Sequence, residues 1–179
     1  MAGPLSELQA HRLVAAAVAQ TGATVTYDGR YRRIAYPGGD VPDTVGVCTD
    51  VIIRAYRKIG VDLQVSVHED MRSAFGAYPK LWGLSAPDRN IDHRRVPNLR
   101  AYFRRAGAAL PVSRSAGAYR PGDVVTWMLP GNLAHIGIVT DRKTPDGVPL
   151  VVHNIRRGPV VEDVLFAYTI TGRYRYGGF

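Results

Sequence analysis

The point at which helical patterning gives way to alternating patterning constrains this fold more than any other sequence feature. That point is Pro121-Gly122-Asp123. Four segments before it carry apolar residues at helical spacing: 6–21, 48–59, 68–75 and 96–106. Five segments after it read as strands: 124–129, 135–141, 150–155, 164–170 and 172–176. Helices followed by an antiparallel sheet predict an α+β fold.

The length of 179 residues suits one domain. We expect residues 1–24 to form an N-terminal helical arm packed on a domain made of residues 25–179. Hydrophobic residues make up 46% of the chain, so a sizeable core can form. No apolar run approaches the ~18 residues that a membrane span requires, and no signal peptide is recognisable in the chain as given.

The single cysteine, Cys48, excludes an internal disulfide and a cysteine-rich zinc site. It stands where a turn that contains Pro37-Gly38-Gly39 leads into a predicted helix. The first N–H groups of a helix have no internal partner and favour negative charge, so a thiol at this place is biased toward the reactive thiolate. A buried structural cysteine fits the same position.

Two histidines follow in neighbouring predicted strands. Asp146-Gly147 predicts a hairpin turn between these strands, which brings His135 opposite residues near His153. Both then point to the same face of the sheet, and Gly137 leaves room for another group to approach. A cysteine at a helix start beside such a pair is an arrangement that catalyses acyl transfer. Asn154 is the alternative partner for His135 if the register slips by one residue.

These residues resemble the NlpC-type branch of the papain-like cysteine peptidases, which cut amide bonds in bacterial cell-wall peptides. Within that group the chain closely resembles the bacterial family of domain of unknown function 1287, from about residue 25 to 176. The match is carried by these strings: Tyr36-Pro-Gly-Gly-Asp-Val-Pro, Gly46-Val-Cys-Thr-Asp-Val, His68-Glu-Asp-Met, Asn90-Ile-Asp-His-Arg-Arg-Val-Pro-Asn-Leu, Pro121-Gly-Asp-Val-Val-Thr-Trp, His135-Ile-Gly-Ile-Val and His153-Asn-Ile.

The resemblance implies a papain-like fold whose nucleophile helix packs on a C-terminal antiparallel sheet. It implies that Cys48 is the nucleophile, His135 the general base and His153 the residue that orients the base. It further implies that Tyr36 lies near the thiol and helps to hold the developing oxyanion.

Five more polar residues are candidates for substrate contact or for support of the site: Asp50, Asp92, Arg94, Arg95 and Asn154. A carboxylate in the first turn of the Cys48 helix complements the helix dipole. Asp92 is placed to pair with one of the two arginines that follow it, while an arginine could also grip a carboxylate of a cell-wall peptide. No zinc-ligand spacing is present, and we expect neither a metal nor a cofactor.

The resulting hypothesis is a hydrolase of peptidoglycan amide bonds that acts in the periplasm or after secretion. The net charge of +8 favours anionic partners, such as wall polymers. We expect a monomer that binds peptidoglycan or its peptide fragments, binds no nucleic acid and does not insert into membranes. If the protein is a secreted antibacterial effector, an immunity protein is a further partner. A wall-binding module with an inactive site and an acyltransferase are the alternatives.

Overall fold

The computed structural model describes residues 3–178. In that range the chain forms four α-helices: α1 (Glu7–Val18), α2 (Cys48–Lys58), α3 (Leu63–Ala74) and α4 (Val96–Arg105). It also forms eight strands: β1 (Thr26–Tyr27), β2 (Val45–Gly46), β3 (Ala109–Leu110), β4 (Val124–Leu129), β5 (Leu133–Lys143), β6 (Pro149–His153), β7 (Val160–Glu162) and β8 (Thr169–Tyr174). Helices precede the main sheet, so the α+β prediction is confirmed.

Local sequence signals account for most of these boundaries. The Ser6 hydroxyl accepts the Gln9 N–H and caps α1. The carboxylate of Asp62 accepts the Gln64 N–H, so α3 begins five residues before the predicted start. The predicted strand 164–170 is wrong, because its first part forms a turn that is closed by the Ala167 N–H and the Val164 carbonyl.

The main sheet has the strand order β3-β8-β4-β5-β6-β7 and is antiparallel at every pairing. The predicted hairpin joins β5 to β6, and Gly147 adopts the positive φ of 82° that its turn requires. A short parallel pair, β1 with β2, lies next to the start of α2 and matches Tyr27 with Gly46. This small pair brings residues from the region before the helix to the cysteine.

The two faces of the main sheet bury separate apolar clusters. Ile136, Ile138 and Val152 face the helices and share a core with Ile52 of α2 and Leu13 of α1. Each of these aliphatic side chains is fully buried, which contributes about 1.5–3 kcal/mol relative to an exposed position. The other face carries a second cluster: Tyr119, Val125, Trp127, Leu129, Val139, Val151 and Leu165.

Helix α1 packs on α2 and contributes to the same core. Leu13 and Ala17 are completely buried there, and the Gln20 side chain donates to the Val51 carbonyl at 3.0 Å. The described part of residues 1–24 therefore shares its core with the rest of the chain, while the predicted boundary at residue 24 stays a prediction. Between residues 3 and 178, no helix has the length and apolar character needed to cross a membrane.

Candidate active site

Cys48 is the first residue of α2 and is 4% exposed. Its sulfur accepts hydrogen bonds from the Tyr27 hydroxyl and from the backbone N–H groups of Ile136 and Thr49. The Thr49 N–H belongs to the first turn of α2, where N–H groups lack partners within the helix. The hydroxyl is delivered by the β1–β2 pair, in which Tyr27 stands opposite Gly46, two residues before the cysteine.

The Ile136 N–H is free to bind the sulfur because strand β6 ends too early to use it. On β5, the Val139 N–H points toward β4 and binds the Asp123 carbonyl at 2.9 Å. Successive residues of an antiparallel strand direct their N–H groups to opposite sides, so Ile136 points toward β6. The last residue of β6 is His153, which pairs with Gly137. The thiol therefore occupies the end of the ladder, beside the peptide bond that joins His135 to Ile136.

Burial governs the protonation of the thiol. The hydrogen bonds to the sulfur lower the pKa of Cys48, but burial raises it more, and the result is a pKa of about 11. The nearby Asp50 carboxylate raises this pKa further. Burial thus opposes the bias toward thiolate that the helix start provides, and the net direction of the pKa shift favours the protonated thiol.

His135 and His153 lie on the same face of neighbouring strands, as the alternation of residues predicted. Their rings are 5.1 Å apart between centroids and nearly perpendicular, and His135 Nε2 lies 2.9 Å from His153 Nδ1. Trp127 flanks the His135 ring from β4, with a centroid distance of 5.8 Å. Burial lowers the pKa of His135 to about 3 and also lowers the pKa of His153. Both rings are therefore neutral at pH 7.

The pair of histidines requires a glycine at position 137, but the reason is not the predicted space for another group. A Cβ atom at this position would come within 2.6 Å of Val151 Cγ1 and 3.2 Å of His153 Cβ. The space above Gly137 is therefore filled by side chains of β6. The glycine lets His153 lean along the strand toward His135, two residues from its direct cross-strand partner.

Glu162 extends the histidine pair and was missed by the sequence analysis. Its Oε2 atom lies 2.7 Å from His153 Nε2, and its side chain is 50% exposed. It stands opposite Val151 on β7, so it shares a face with His153. The sequence signal for it was its place in Val160-Val161-Glu162, which forms β7 although the sequence pattern predicted no strand there.

Tyr27 takes the place beside the thiol that the resemblance implied for Tyr36. The Tyr36 hydroxyl donates to Glu69 at 2.8 Å, and its ring packs edge-on against His68. Tyr36 belongs to the turn after β1 and faces α3, whereas the β1–β2 pairing directs Tyr27 to the start of α2. Burial is the main cause that raises the Tyr27 pKa, so its hydroxyl stays protonated and can donate to the sulfur.

Asp50 and Arg94 form a buried ion pair rather than a substrate-facing surface. Two hydrogen bonds of 2.9 Å join the guanidinium to the carboxylate, and both side chains are 2% exposed. Asp50 also accepts the Val47 N–H at 2.7 Å, which caps the first turn of α2. The Thr49 hydroxyl donates to the Arg94 carbonyl at 2.9 Å. The pair thus fastens the start of the Cys48 helix to the loop that holds Arg94.

Asp92 and Arg95 stabilise the same loop. The Asp92 carboxylate is 1% exposed, binds Arg95 at 3.1 Å and accepts the Asp88 N–H at 2.5 Å. The Arg95 guanidinium stacks on the Trp82 ring, 4.1 Å from its centroid. Of the two arginines considered as partners for Asp92, the structure selects Arg95, because Arg94 is bound to Asp50.

The Asn154 side chain binds the loop after β6 and not the histidine pair. It is 1% exposed, and its side-chain oxygen accepts the Gly158 N–H at 3.2 Å, which closes the loop after β6. His153, rather than Asn154, is the residue that binds His135. Of the two residues that the sequence offered as partners of His135, the structure therefore selects His153 and not Asn154.

The arrangement supplies a thiol, hydrogen-bond donors around its sulfur, and a neutral imidazole on His135, the residue that precedes the Ile136 N–H donor. These are the parts of a nucleophilic site in which the imidazole takes the thiol proton as the thiol attacks. Within residues 3–178, no group of three or more histidine, cysteine, aspartate or glutamate side chains has the geometry to hold a metal ion.

Comparisons with known proteins agree with this geometry at the level of family and fold. The family model described as domain of unknown function (DUF1287) matches residues 14–176. The uncharacterized protein YijF of Escherichia coli strain K12 is 53% identical over 157 residues, which cover 88% of this chain and 77% of YijF. The solved structure of NlpC1 from Trichomonas vaginalis is 14% identical and superposes with a TM-score of 0.51. It covers 93% of this chain, which spans 44% of the NlpC1 chain.

Proposed function

The chain belongs to the family of domain of unknown function 1287 and has an NlpC-type α+β fold, and from this premise we propose that it is a cysteine-dependent hydrolase of amide bonds in bacterial peptidoglycan. The observation that carries the proposal is the position of its single cysteine. The sulfur lies at the end of the β5–β6 ladder, beside the peptide bond that follows His135, and His135 is itself bound to His153.

The reaction begins when His135 removes the thiol proton through its Nδ1 atom, since Nε2 is bound to His153. The sulfur of Cys48 attacks the amide carbonyl, and the resulting oxyanion is stabilised by N–H donors and by the Tyr27 hydroxyl. The C–N bond then breaks, and the amine leaves with the proton from His135. Water, deprotonated by His135, cleaves the thioester and restores the thiol.

Tyr27 and the Ile136 N–H are well placed for this chemistry because both already contact the sulfur. Burial raises the pKa of Cys48 and lowers the pKa of His135, so in the proposed reaction proton transfer accompanies attack on the substrate. Such coupling suits a site whose burial disfavours a resting ion pair.

Peptidoglycan as the substrate is supported by the charge of the protein and by the NlpC-type fold. The net charge of +8 favours retention on anionic wall polymers. This substrate requires the protein to act outside the cytoplasm, in the periplasm or after delivery to another cell. The effector role, and with it an immunity partner, belongs to the same proposal.

The test is a digest of purified sacculi and of defined muropeptides, read by mass spectrometry. Wild type, Cys48→Ala and Cys48→Ser are compared, with circular dichroism to establish that each is folded. The wild type is expected to split a fragment with the gain of one water, and neither variant should do so. Tyr36→Phe serves as the matched control, because its hydroxyl binds Glu69 and should leave cleavage unchanged. Cleavage by folded Cys48→Ala would refute the proposal.

A wall-binding module with an unreactive thiol is the second candidate, and the burial of Cys48 favours it. A thiol with a pKa of about 11 reacts slowly at neutral pH. Because the chain has one cysteine, the mass of the intact protein after iodoacetamide treatment reports on Cys48 alone. A thiol that resists alkylation in the native protein, with no cleavage but retained binding to sacculi, would support this second function.

A further inference from the structure

We infer that Glu162 is a positioning residue that fixes the tautomers of His135 and His153 and so makes His135 a base toward the thiol. This inference rests on the proposed function for its catalytic consequence, but its structural content is independent of any substrate. It concerns the three side chains joined in a row by hydrogen bonds of 2.9 and 2.7 Å.

The row begins at the exposed edge of the sheet and runs inward. Glu162 is half-exposed on β7, whereas His153 is 1% and His135 3% exposed. A hydrogen bond of 2.7 Å joins a carboxylate that keeps contact with water to a ring that is almost completely buried. The carboxylate oxygens of Glu162 therefore form the solvent-facing end of the row, where they can accept hydrogen bonds.

Hydrogen-bond chemistry then determines where each proton lies. A carboxylate only accepts, so His153 must carry its proton on Nε2. Burial keeps His153 neutral, and a neutral imidazole has one N–H, so His153 Nδ1 is an acceptor. His135 must therefore donate from Nε2, and its Nδ1 atom retains the lone pair that can take the thiol proton.

Without the carboxylate, the opposite arrangement also becomes available. His153 could then hold its proton on Nδ1 and donate to His135, which would place the His135 proton on Nδ1. In that arrangement, His135 has no lone pair for the thiol. Glu162 thus selects one of two arrangements, and it also stabilises the positive charge that forms on His135 during attack, through His153.

The first experiment measures tautomers directly and needs no substrate. Protein with 15N-labelled histidine is examined by long-range 1H–15N correlation at neutral pH, in wild type, Glu162→Ala and Glu162→Gln. The wild type should show His135 with unprotonated Nδ1 and His153 with unprotonated Nδ1. Glu162→Ala should show averaged or reversed protonation of both rings. Glu162→Gln, whose amide oxygen can still accept, should lie between the two. Unchanged tautomers in Glu162→Ala would overturn the inference, whatever the protein hydrolyses.

The second experiment measures catalysis on the muropeptide cleaved by the wild type. Glu162→Ala is expected to lower kcat about 10- to 100-fold with little change in KM, because the residue acts on the base and not on substrate binding. Glu162→Gln should restore part of this loss. Asp163→Ala removes a neighbouring exposed carboxylate and is the matched control, with kcat expected at the wild-type level.

A double-mutant comparison separates positioning from a structural role in β7. In the His153→Ala background, Glu162→Ala should cause no further loss, because the residue through which Glu162 acts is gone. A loss of the same size in both backgrounds would overturn the inference and assign Glu162 to strand pairing. Failure of the wild type to cleave would refute the hydrolase function and leave the tautomer measurement to decide the role of Glu162.

Discussion

Replacing Asp50 with alanine tests whether the carboxylate near the nucleophile is structural. Sequence reasoning made Asp50 and Arg94 candidates for substrate contact, but the structure buries both and joins them through two hydrogen bonds of 2.9 Å. Asp50→Ala leaves the Arg94 guanidinium without its counterion at 2% exposure and leaves the Val47 N–H without its acceptor. We therefore expect a large loss of stability.

The size of the loss follows from the burial of the pair. Removing one partner of a buried ion pair costs about 3–5 kcal/mol, because the other charge stays desolvated and unpaired. Since small domains have a free energy of unfolding of about 5–15 kcal/mol, this is a large share of the total. Replacing both residues, as in Asp50→Leu with Arg94→Leu, removes both charges and should cost less than the single change.

The assay is urea denaturation at pH 7, followed by tryptophan fluorescence, to which the buried Trp127 contributes, and by circular dichroism. Arg30→Ala is the control, because Arg30 is an 81% exposed partner of Asp28 and should leave the free energy of unfolding nearly unchanged. A loss below about 1 kcal/mol in Asp50→Ala, or a double variant that loses the sum of the two single changes, would refute the reasoning.

Two further predictions concern the thiol and the response to acid. Tyr27→Phe removes a hydrogen-bond donor that lowers the pKa of the Cys48 thiol, so the pH profile of iodoacetamide alkylation should move to higher pH. Tyr36→Phe should leave the profile unchanged, because the Tyr36 hydroxyl binds Glu69. Equal profiles for all three proteins would contradict the assignment. Burial lowers the pKa of His93 to about 3. Between about pH 6.5 and pH 3, the unfolded chain therefore binds a proton at His93 that the folded chain does not bind. The free energy of unfolding must fall as the pH falls through that range. Between pH 7 and pH 4.5, His93 should lower the free energy of unfolding, measured by urea denaturation, by about 3 kcal/mol. A His93→Gln variant with the same pH dependence as the wild type would show the reasoning to be wrong.

Features that depend on local chemistry could be read from the sequence. The capping serine at Ser6, the start of α2 at Cys48 and the turn at Gly147 follow from residues that are close along the chain. The shared face of His135 and His153 also follows locally, because side chains alternate along a strand and a hairpin fixes which residues meet. These local rules were sufficient to predict the fold class and the centre of the candidate site.

Contacts between distant segments could not be read in this way. Asp50 and Arg94 are 44 residues apart, and their pairing depends on how a loop folds over the start of α2. Tyr27 reaches the thiol only because β1 pairs with β2 in a particular register. The motif shared with the family implied that Tyr36 lies near the thiol. The position of a tyrosine in a turn, however, does not show which helix its side chain will contact.

The sequence by itself determined that a single cysteine would begin a helix and that two histidines would share one face of a hairpin, since backbone geometry ties these features to nearby residues. The tertiary structure alone decided the electrostatic state of the site. It placed Glu162 against His153, and it buried the thiol deeply enough that desolvation outweighs the helix terminus. Burial depends on every segment that packs around a group, so protonation is a property of the assembled fold.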